Sequence, residues 1–214
     1  MHVGRDSRTL LDVTSSTTLT QRRKEFTRLD LARSAARLFA ADGVSAVTTE
    51  RIADGAGVSL RTFYRYFRTK EESVAPLLSV GADQWRQALA DTGPGDPRTA
   101  IPQVIRALLD VDGGAEDSTR RMMRGLLRAA AEDDALLAVW DRVNRDSEER
   151  LQEVITGLVP DVDPLAARLM AAAATDAVRI GFEHWAADAG CSEPPAELAV
   201  RAFEQLSRGI RLHG

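Results

Sequence analysis

The amino-acid sequence predicts an all-α fold, and three observations support this class. Alanine is abundant and aromatic residues make up only 5% of the 214 residues, which favours closely packed helices over sheets rich in aromatic and β-branched residues. Apolar residues recur with helical spacing in one segment after another. Stretches that contain glycine or proline separate these segments, as expected between helices.

The amino-terminal fifth of the chain divides into an arm and a helix. Residues 1–20 are polar, rich in Ser and Thr and aperiodic, so we expect a flexible arm there. The first helix is predicted over residues 21–41 and ends at Gly43. Its apolar stripe consists of Leu31, Ala35, Leu38 and Phe39.

Residues 48–72 contain two short helical patterns that meet at Gly57 and are followed by a third. Thr48 and Ser59 are placed to cap the first two helices by accepting backbone N–H bonds. Gly57 can adopt the left-handed conformation that ends the first helix. Because the turn is short, the two helices must cross steeply. The pattern predicts a helix-turn-helix, which can place its second helix in a DNA groove.

The second helix of this motif has one buried face and one exposed face. Phe63 and Phe67 lie four residues apart and are predicted to face the core. The remaining side chains point elsewhere, and most of them could reach DNA.

Residues 25–75 resemble the DNA-binding domain of the TetR family of bacterial transcriptional regulators. The matching residues are Phe39, Gly43, Thr48, Ile52, Ala53, Ala56, Gly57, Val58, Ser59, Thr62, Tyr64, Phe67, Lys70 and Glu71. Two residues depart from the family's pattern. Gly55 lies inside a helix, at a cost of about 1 kcal/mol relative to alanine, and Ser73 stands where leucine is common.

The resemblance implies DNA-binding roles for eight residues. Ser59 caps the recognition helix, and the residues that open this helix and approach base edges are Leu60, Arg61 and Thr62. Arg61 suits guanine, whose O6 and N7 its guanidinium can contact together. The implied phosphate contacts are Thr49, Tyr64, Tyr66 and Lys70. Arg61 could instead be a solvated charge, and Tyr64 a partly buried core residue.

Charge is distributed unevenly along the chain. Residues 1–72 carry 13 basic and 9 acidic side chains, whereas residues 73–214 carry 15 and 23. Attraction to phosphate is screened over about a Debye length, so a basic amino-terminal part can bind DNA while an acidic body stays clear of it. Arg5 and Arg8 in the arm could enter a minor groove, or could be solvated charges on an unstructured start.

The sequence divides into a DNA-binding domain over residues 21–68 and a helical body over residues 69–214. Residues 69–90 are predicted to form one connecting helix that begins with a Thr69–Glu72 capping box and bends at Pro76. Further helices are predicted over residues 98–111, 118–131, 135–158, 164–188 and 195–211.

The last two helices are predicted to form a four-helix interface between two copies of the chain, as the resemblance implies. The first carries the small residues Ala171 to Ala174, Ala177 and Gly181, and the second repeats Leu198, Ala202, Leu206 and Ile210. Packing within one chain is the alternative.

The resemblance also implies a helical-bundle body that binds a small effector between its helices. An apolar or amphipathic effector would suit the candidate residues, which are Trp85, Met122, Leu126, Trp140, Asn144, Arg179 and His184. Each could equally be an ordinary residue of the core.

Enzyme chemistry finds little support, and no cofactor or metal site is predicted. Cys191 is the only cysteine, and the three histidines are too scattered for a local metal site. With no long apolar run and no apolar leader, we expect a cytoplasmic protein. The sequence predicts a homodimeric repressor that binds a near-palindromic double-stranded DNA operator and is released by a hydrophobic effector. The alternative is an activator or accessory DNA-binding protein whose body binds a protein partner.

Overall fold

The computed structural model describes residues 19–109 and 114–212. The described residues form α-helices and one short 3-10 segment, with no strand among them, so the predicted all-α class is confirmed. The helices are α1 (Leu19–Asp42), α2 (Thr49–Gly55), α3 (Leu60–Tyr66), α4 (Ala75–Ala90), α5 (Pro97–Leu109), α6 (Gly114–Ala131), α7 (Asp134–Leu158), α8 (Pro164–Ala187) and α9 (Pro195–Ser207). Residues 1–18 of the predicted arm lie outside the described part of the chain.

The predicted caps of the helix-turn-helix are confirmed. The Thr48 hydroxyl accepts a hydrogen bond from the Arg51 backbone nitrogen at 3.3 Å and thereby caps α2. Ser59 Oγ accepts one from the Thr62 nitrogen at 3.2 Å and caps α3. Gly57 has a φ of 68°, the left-handed conformation that a turn here needs. Local chemistry therefore fixes both ends of this turn.

The presence of glycine at position 55, inside a helix, is explained by the packing of α2 against α1, which the sequence did not reveal. Ser34 of α1 is buried, and its hydroxyl donates a hydrogen bond to the Ile52 carbonyl of α2 at 3.0 Å. A Cβ atom at Gly55 would lie only 2.4 Å from Ser34 Oγ. The glycine therefore permits α1 and α2 to approach closely enough for this buried hydrogen bond.

The connection between the motif and the body differs from the prediction of one helix bent at Pro76. A 3-10 segment, Glu71–Val74, comes first, and α4 then begins at Ala75 with Pro76 in its first turn. Proline fits there because the amide hydrogen that it lacks has no partner within the first turn of a helix. The Thr69 hydroxyl does accept a hydrogen bond from the Glu72 nitrogen at 3.2 Å. The bend is therefore replaced by a change of helix type.

The body helices agree with the predicted ranges to within a few residues, except at two ends. α6 begins four residues before its predicted start, and α9 ends at Ser207 rather than near residue 211. The hydrophobic core of the motif does not stop at residue 68. It continues through Leu126 of α6 and Val143 of α7, which belong to the same buried cluster as Leu31 and Phe39.

The small residues of α8 pack against the rest of the same chain. Ala171, Ala174 and Ala177 are fully buried, and a Cβ atom at Gly181 would lie 2.7 Å from the backbone nitrogen of Ala199 in α9. These residues thus permit α8 and α9 to pack closely within the chain, which is the intramolecular alternative. Other residues supply the exposed apolar surface of the two helices, namely Leu165, Leu169, Ile180 and Leu206.

An ion pair joins the other side of α9 to α5. Arg106 donates hydrogen bonds to both carboxylate oxygens of Glu197, at 2.8 and 3.1 Å. These hydrogen bonds lower the pKa of the Glu197 carboxyl, with a smaller opposing effect of burial and a further lowering by the charge of Arg106.

Candidate functional site

Helix α3 is anchored by its core face and presents polar side chains on the other. Phe63 is fully buried, and its ring meets the ring of Tyr64 edge-on with centroids 5.5 Å apart. Tyr64 itself is 55% exposed. Arg61 and Arg65 are also exposed. The helix can therefore bring a phenol and two guanidinium groups to a ligand surface without disturbing its core.

The residues that open α3 are held close to its amino-terminal end. Ser59 is exposed, whereas Leu60 and Thr62 are half-buried. The hydroxyl groups of Ser59 and Thr62 lie 3.0 Å apart and share a hydrogen bond. The predicted base-contacting residues thus lie together, although two of them have only part of their surface available.

Tyr66 is half-buried and lies on the opposite side of α3 from the exposed Tyr64. The Arg65 guanidinium carbon lies 5.1 Å from the centroid of its ring, within the range of a cation–π contact. Arg65 was not among the predicted contacts. In the sequence, Arg65 could have been noticed as a basic residue between two tyrosines on a short helix. In the structure it is exposed.

Lys70 has a structural role that its sequence position did not indicate. Its ammonium group donates hydrogen bonds to the carbonyl oxygens of Val44 at 2.6 Å and Val47 at 2.9 Å. These carbonyls belong to the turn between α1 and α2. Lys70 therefore fastens the end of the motif to this turn, and its contact with phosphate stays a prediction. Thr49, the other predicted phosphate contact near this turn, is half-buried in the first turn of α2.

A cavity of about 220 Å³ lies among helices α4 to α8. Three of the predicted ligand residues line it, namely Trp85, Trp140 and Asn144. The Trp140 indole nitrogen donates to Glu183 at 2.9 Å, and the Asn144 side-chain nitrogen donates to the Trp140 carbonyl at 2.9 Å. One wall of the cavity is thus fixed by hydrogen bonds.

The structure places the other four predicted ligand residues outside this lining. Leu126 is buried in the core shared with α1, and Met122 packs against the same core. His184 is exposed. Arg179 donates hydrogen bonds to Asp176 and Glu183, both at 2.9 Å. Burial lowers the pKa of Arg179, but these two carboxylates outweigh it and hold that pKa above its ordinary value.

Several residues that line the cavity were not predicted from the sequence as ligand residues. Three polar ones are Gln84 of α4, Ser147 of α7 and Thr175 of α8. Thr175, Val178 and Phe182 all line the cavity and lie three and four residues apart, so they form one face of α8. The sequence contains this spacing, but the alanines around it do not indicate which face of α8 borders a cavity.

Among the described residues, no group of histidine, cysteine or carboxylate side chains could hold a metal ion. Within the same part of the chain, we find no helix that combines the length and the apolar character needed to cross a membrane.

Comparison with known proteins bears on this architecture. The family described as "Bacterial regulatory proteins, tetR family" matches residues 31–74. The transcriptional regulator TcmR of Streptomyces glaucescens is 33% identical over 140 residues, which cover 64% of this chain and 62% of that regulator. The match thus spans less than two thirds of the relative's length.

Solved structures share the fold at low sequence identity. The TetR-family repressor AlkX from a Dietzia strain has a TM-score of 0.56 at 22% identity and covers 86% of this chain and 94% of its own. FadR of Thermus thermophilus, solved with lauroyl-CoA, has a TM-score of 0.55 at 19% identity, and the match covers 87% of this chain and 96% of FadR. NalD, a repressor from Pseudomonas aeruginosa, has a TM-score of 0.54 at 24% identity, and the match covers 90% of this chain and 100% of NalD.

An amino-terminal helix-turn-helix followed by a helical body defines a class of helical regulatory proteins. Within this class, residues 31–74, which contain the helix-turn-helix, match the TetR family.

Proposed function

We propose that this protein is a DNA-binding transcriptional repressor that acts as a homodimer and is released from its operator by a small effector. The observation that carries the proposal is the construction of α3. Its amino-terminal end is capped by Ser59 and its core face is anchored by Phe63, while Arg61 and Tyr64 remain exposed. This is the arrangement that a recognition helix needs in a major groove.

A single α3 of seven residues offers few base contacts, so useful affinity requires a second copy. In a dimer, the two recognition helices would lie about 34–36 Å apart, or a multiple of a DNA turn. The outward-facing leucine and isoleucine side chains of α8 and α9 favour these helices as the interface. Large apolar side chains exposed on two helices that contact each other favour a protein–protein contact there.

The cavity favours control by a small molecule. Helix α4 follows the helix-turn-helix after the 3-10 segment Glu71–Val74 and contributes Trp85 to the lining of the cavity. A ligand can change the spacing of the two recognition helices only if it binds one arrangement better than the other. In this proposal, α4 carries that difference from the cavity to the DNA-binding helices.

The experiment that tests the function is to map where the protein binds its own genome and to measure affinity for the recovered site. Arg61→Ala should relax the preference at one base pair, and Tyr64→Ala should weaken binding to all sequences about equally. Arg145→Ala is the control, because Arg145 is an exposed arginine of α7. Unchanged affinity and preference in both α3 variants would contradict DNA binding through this helix.

A further inference from the structure

We infer that the ligand of the cavity is an uncharged, compact, ring-containing molecule whose hydroxyl or carbonyl group forms a hydrogen bond with Thr175. The inference rests on the proposed function, because it takes the cavity among α4 to α8 as the effector site. It adds the chemical class of the effector and the residue that recognises the polar group.

Thr175 has an unusual environment for a helical threonine. It lines the cavity and is only 6% exposed, and its hydroxyl has no hydrogen-bond partner among the described residues. Thr27 and Thr156, by contrast, each donate to the carbonyl four residues earlier, both at 2.9 Å. Because a buried hydroxyl without a partner is unfavourable, a polar ligand group that bonds to Thr175 would remove a cost already present in the protein.

Asn144 supplies a second polar group with a defined orientation. Its side-chain nitrogen donates to the Trp140 carbonyl at 2.9 Å. This bond identifies which end of the amide is the nitrogen, since a carbonyl can only accept. The oxygen of Asn144 is therefore the atom that can accept a hydrogen bond from a ligand hydroxyl in the same cavity.

The electrostatics of the lining favour an uncharged ligand. None of the described residues that line the cavity carries a charge. The nearby Arg179 guanidinium is bonded to Asp176 and Glu183, so it is already paired with carboxylates. A carboxylate or phosphate inside the cavity would lose its hydration without meeting a cation, which is strongly unfavourable.

A second hollow adjoins the cavity and has a basic residue in its lining. It has a volume of about 210 Å³, shares Leu108, Leu109, Met123 and Phe182 with the cavity, and includes Arg120 in its lining. The Arg120 guanidinium lies 3.5 Å from the Leu109 carbonyl oxygen. An anionic ligand could reach Arg120 only by extending from one space into the other, and we assign the effector to the uncharged cavity alone.

Size and shape narrow the class further. A cavity of about 220 Å³ is larger than the roughly 150 Å³ that accepts benzene and smaller than the roughly 300 Å³ at which drug-sized sites begin. Trp85, Trp140 and Phe182 contribute aromatic side chains to the lining. These features favour a flat molecule of one or two rings.

Three probes of similar shape test the inference: 2-naphthol, 2-methylnaphthalene and 2-naphthoate. Their dissociation constants would be measured by isothermal titration calorimetry, with the full-length protein titrated into the dissolved probe. We expect 2-naphthoate to bind at least about ten-fold more weakly than 2-naphthol. In Thr175→Val, which keeps the shape but removes the hydroxyl, the preference for 2-naphthol over 2-methylnaphthalene should fall about ten-fold. Thr156→Val, at an exposed threonine of α7, should leave that preference unchanged.

Three results would overturn the inference: 2-naphthoate binding as tightly as 2-naphthol, an unchanged preference in Thr175→Val, or no binding of any probe. DNA binding would be measured on the same samples to separate the two proposals. A protein that binds its operator but none of the probes contradicts only this inference. Probe binding in the expected pattern without any DNA binding contradicts only the proposed function.

Discussion

Gly125 of α6 packs directly on Ala40 of α1. A Cβ atom at Gly125 would lie 2.8 Å from both the Cβ atom and the carbonyl oxygen of Ala40. Helix α1 shares a buried core with the helix-turn-helix, and α6 lines the cavity through Met123, two residues before the glycine. The contact therefore joins the candidate DNA-binding helices to the wall of the cavity by a route that does not pass through α4.

Gly125→Ala should destabilise the protein, because the added methyl group would press on the backbone of α1. Overpacking of this kind costs about 1–3 kcal/mol, measured as the free energy of unfolding in urea. Gly157→Ala is the matched control, since Gly157 lies in α7 and no atom outside its own helix lies within 4 Å of the added Cβ. That variant should be neutral or more stable by up to about 1 kcal/mol. Equal stabilities of the two variants would contradict the close α1–α6 contact.

The effect of Gly55→Ala should depend on the Ser34 hydroxyl. In the native background, the new methyl group would lie 2.4 Å from Ser34 Oγ and should break its hydrogen bond to Ile52, with a loss of about 1–3 kcal/mol. In a Ser34→Ala background the obstacle is absent, because the next atom, Ser34 Cβ, lies at 3.6 Å. There the change should be neutral or favourable. A double-mutant cycle of unfolding free energies measures the coupling, and additive effects would refute it.

Lys70→Met should destabilise the turn between α1 and α2. The substitution removes the Lys70 donor from the Val47 carbonyl and from the Val44 carbonyl, which keeps its hydrogen bond from the Val47 nitrogen at 3.2 Å. We expect a loss of about 1–3 kcal/mol in unfolding free energy. Lys24→Met is the matched control, because Lys24 is exposed on α1, and its stability should be unchanged. The salt dependence of DNA binding tests the phosphate contact separately, since losing one such contact lowers the slope by about 1.

Leu169→Asp should convert the proposed dimer to a monomer. Leu169 is 47% exposed on the outer face of α8, so a carboxylate there is tolerated in a single chain but would be buried without a partner in the interface. Light scattering coupled to gel filtration would show the mass falling from twice 23.3 kDa to 23.3 kDa. Ala138→Asp, at an exposed alanine of α7, should keep the larger mass. If Leu169→Asp remains a dimer, the interface must lie on another part of the surface.

The ion pair between Arg106 and Glu197 should stabilise the protein only above acidic pH. Arg106 lowers the pKa of Glu197 in the folded protein, so the contribution is present above the ordinary pKa of a glutamate. It is lost as the pH falls through the lowered value. Arg106→Gln should therefore reduce the melting temperature near neutral pH, by a small amount because the pair is exposed. At a pH low enough to protonate Glu197, the difference from the native protein should vanish. A difference that persists there would indicate a packing role for Arg106 instead.

The features that sequence predicted well depend on atoms a few residues apart. The caps at Thr48 and Ser59 and the left-handed Gly57 were predicted because each bond or conformation lies within one turn of its residue. A bend was predicted at Pro76 because a proline disrupts the interior of a helix. The sequence did not show that α4 begins at Ala75, the residue immediately before this proline. Because α4 starts six residues later than the predicted residue 69, Pro76 lies in its first turn and does not bend it.

By itself, the sequence determined the all-α class, the helix-turn-helix and the segments that become helices, since these follow from hydrogen bonding and periodicity along the chain. Tertiary structure alone decided that Lys70 anchors a turn 26 residues away at Val44. It also decided that Thr175 lines a cavity with its hydroxyl buried and unpaired within the described chain. Helices that lie far apart in sequence must pack before such atoms meet. The contacts depend on how closely the helices approach, which helical periodicity does not specify.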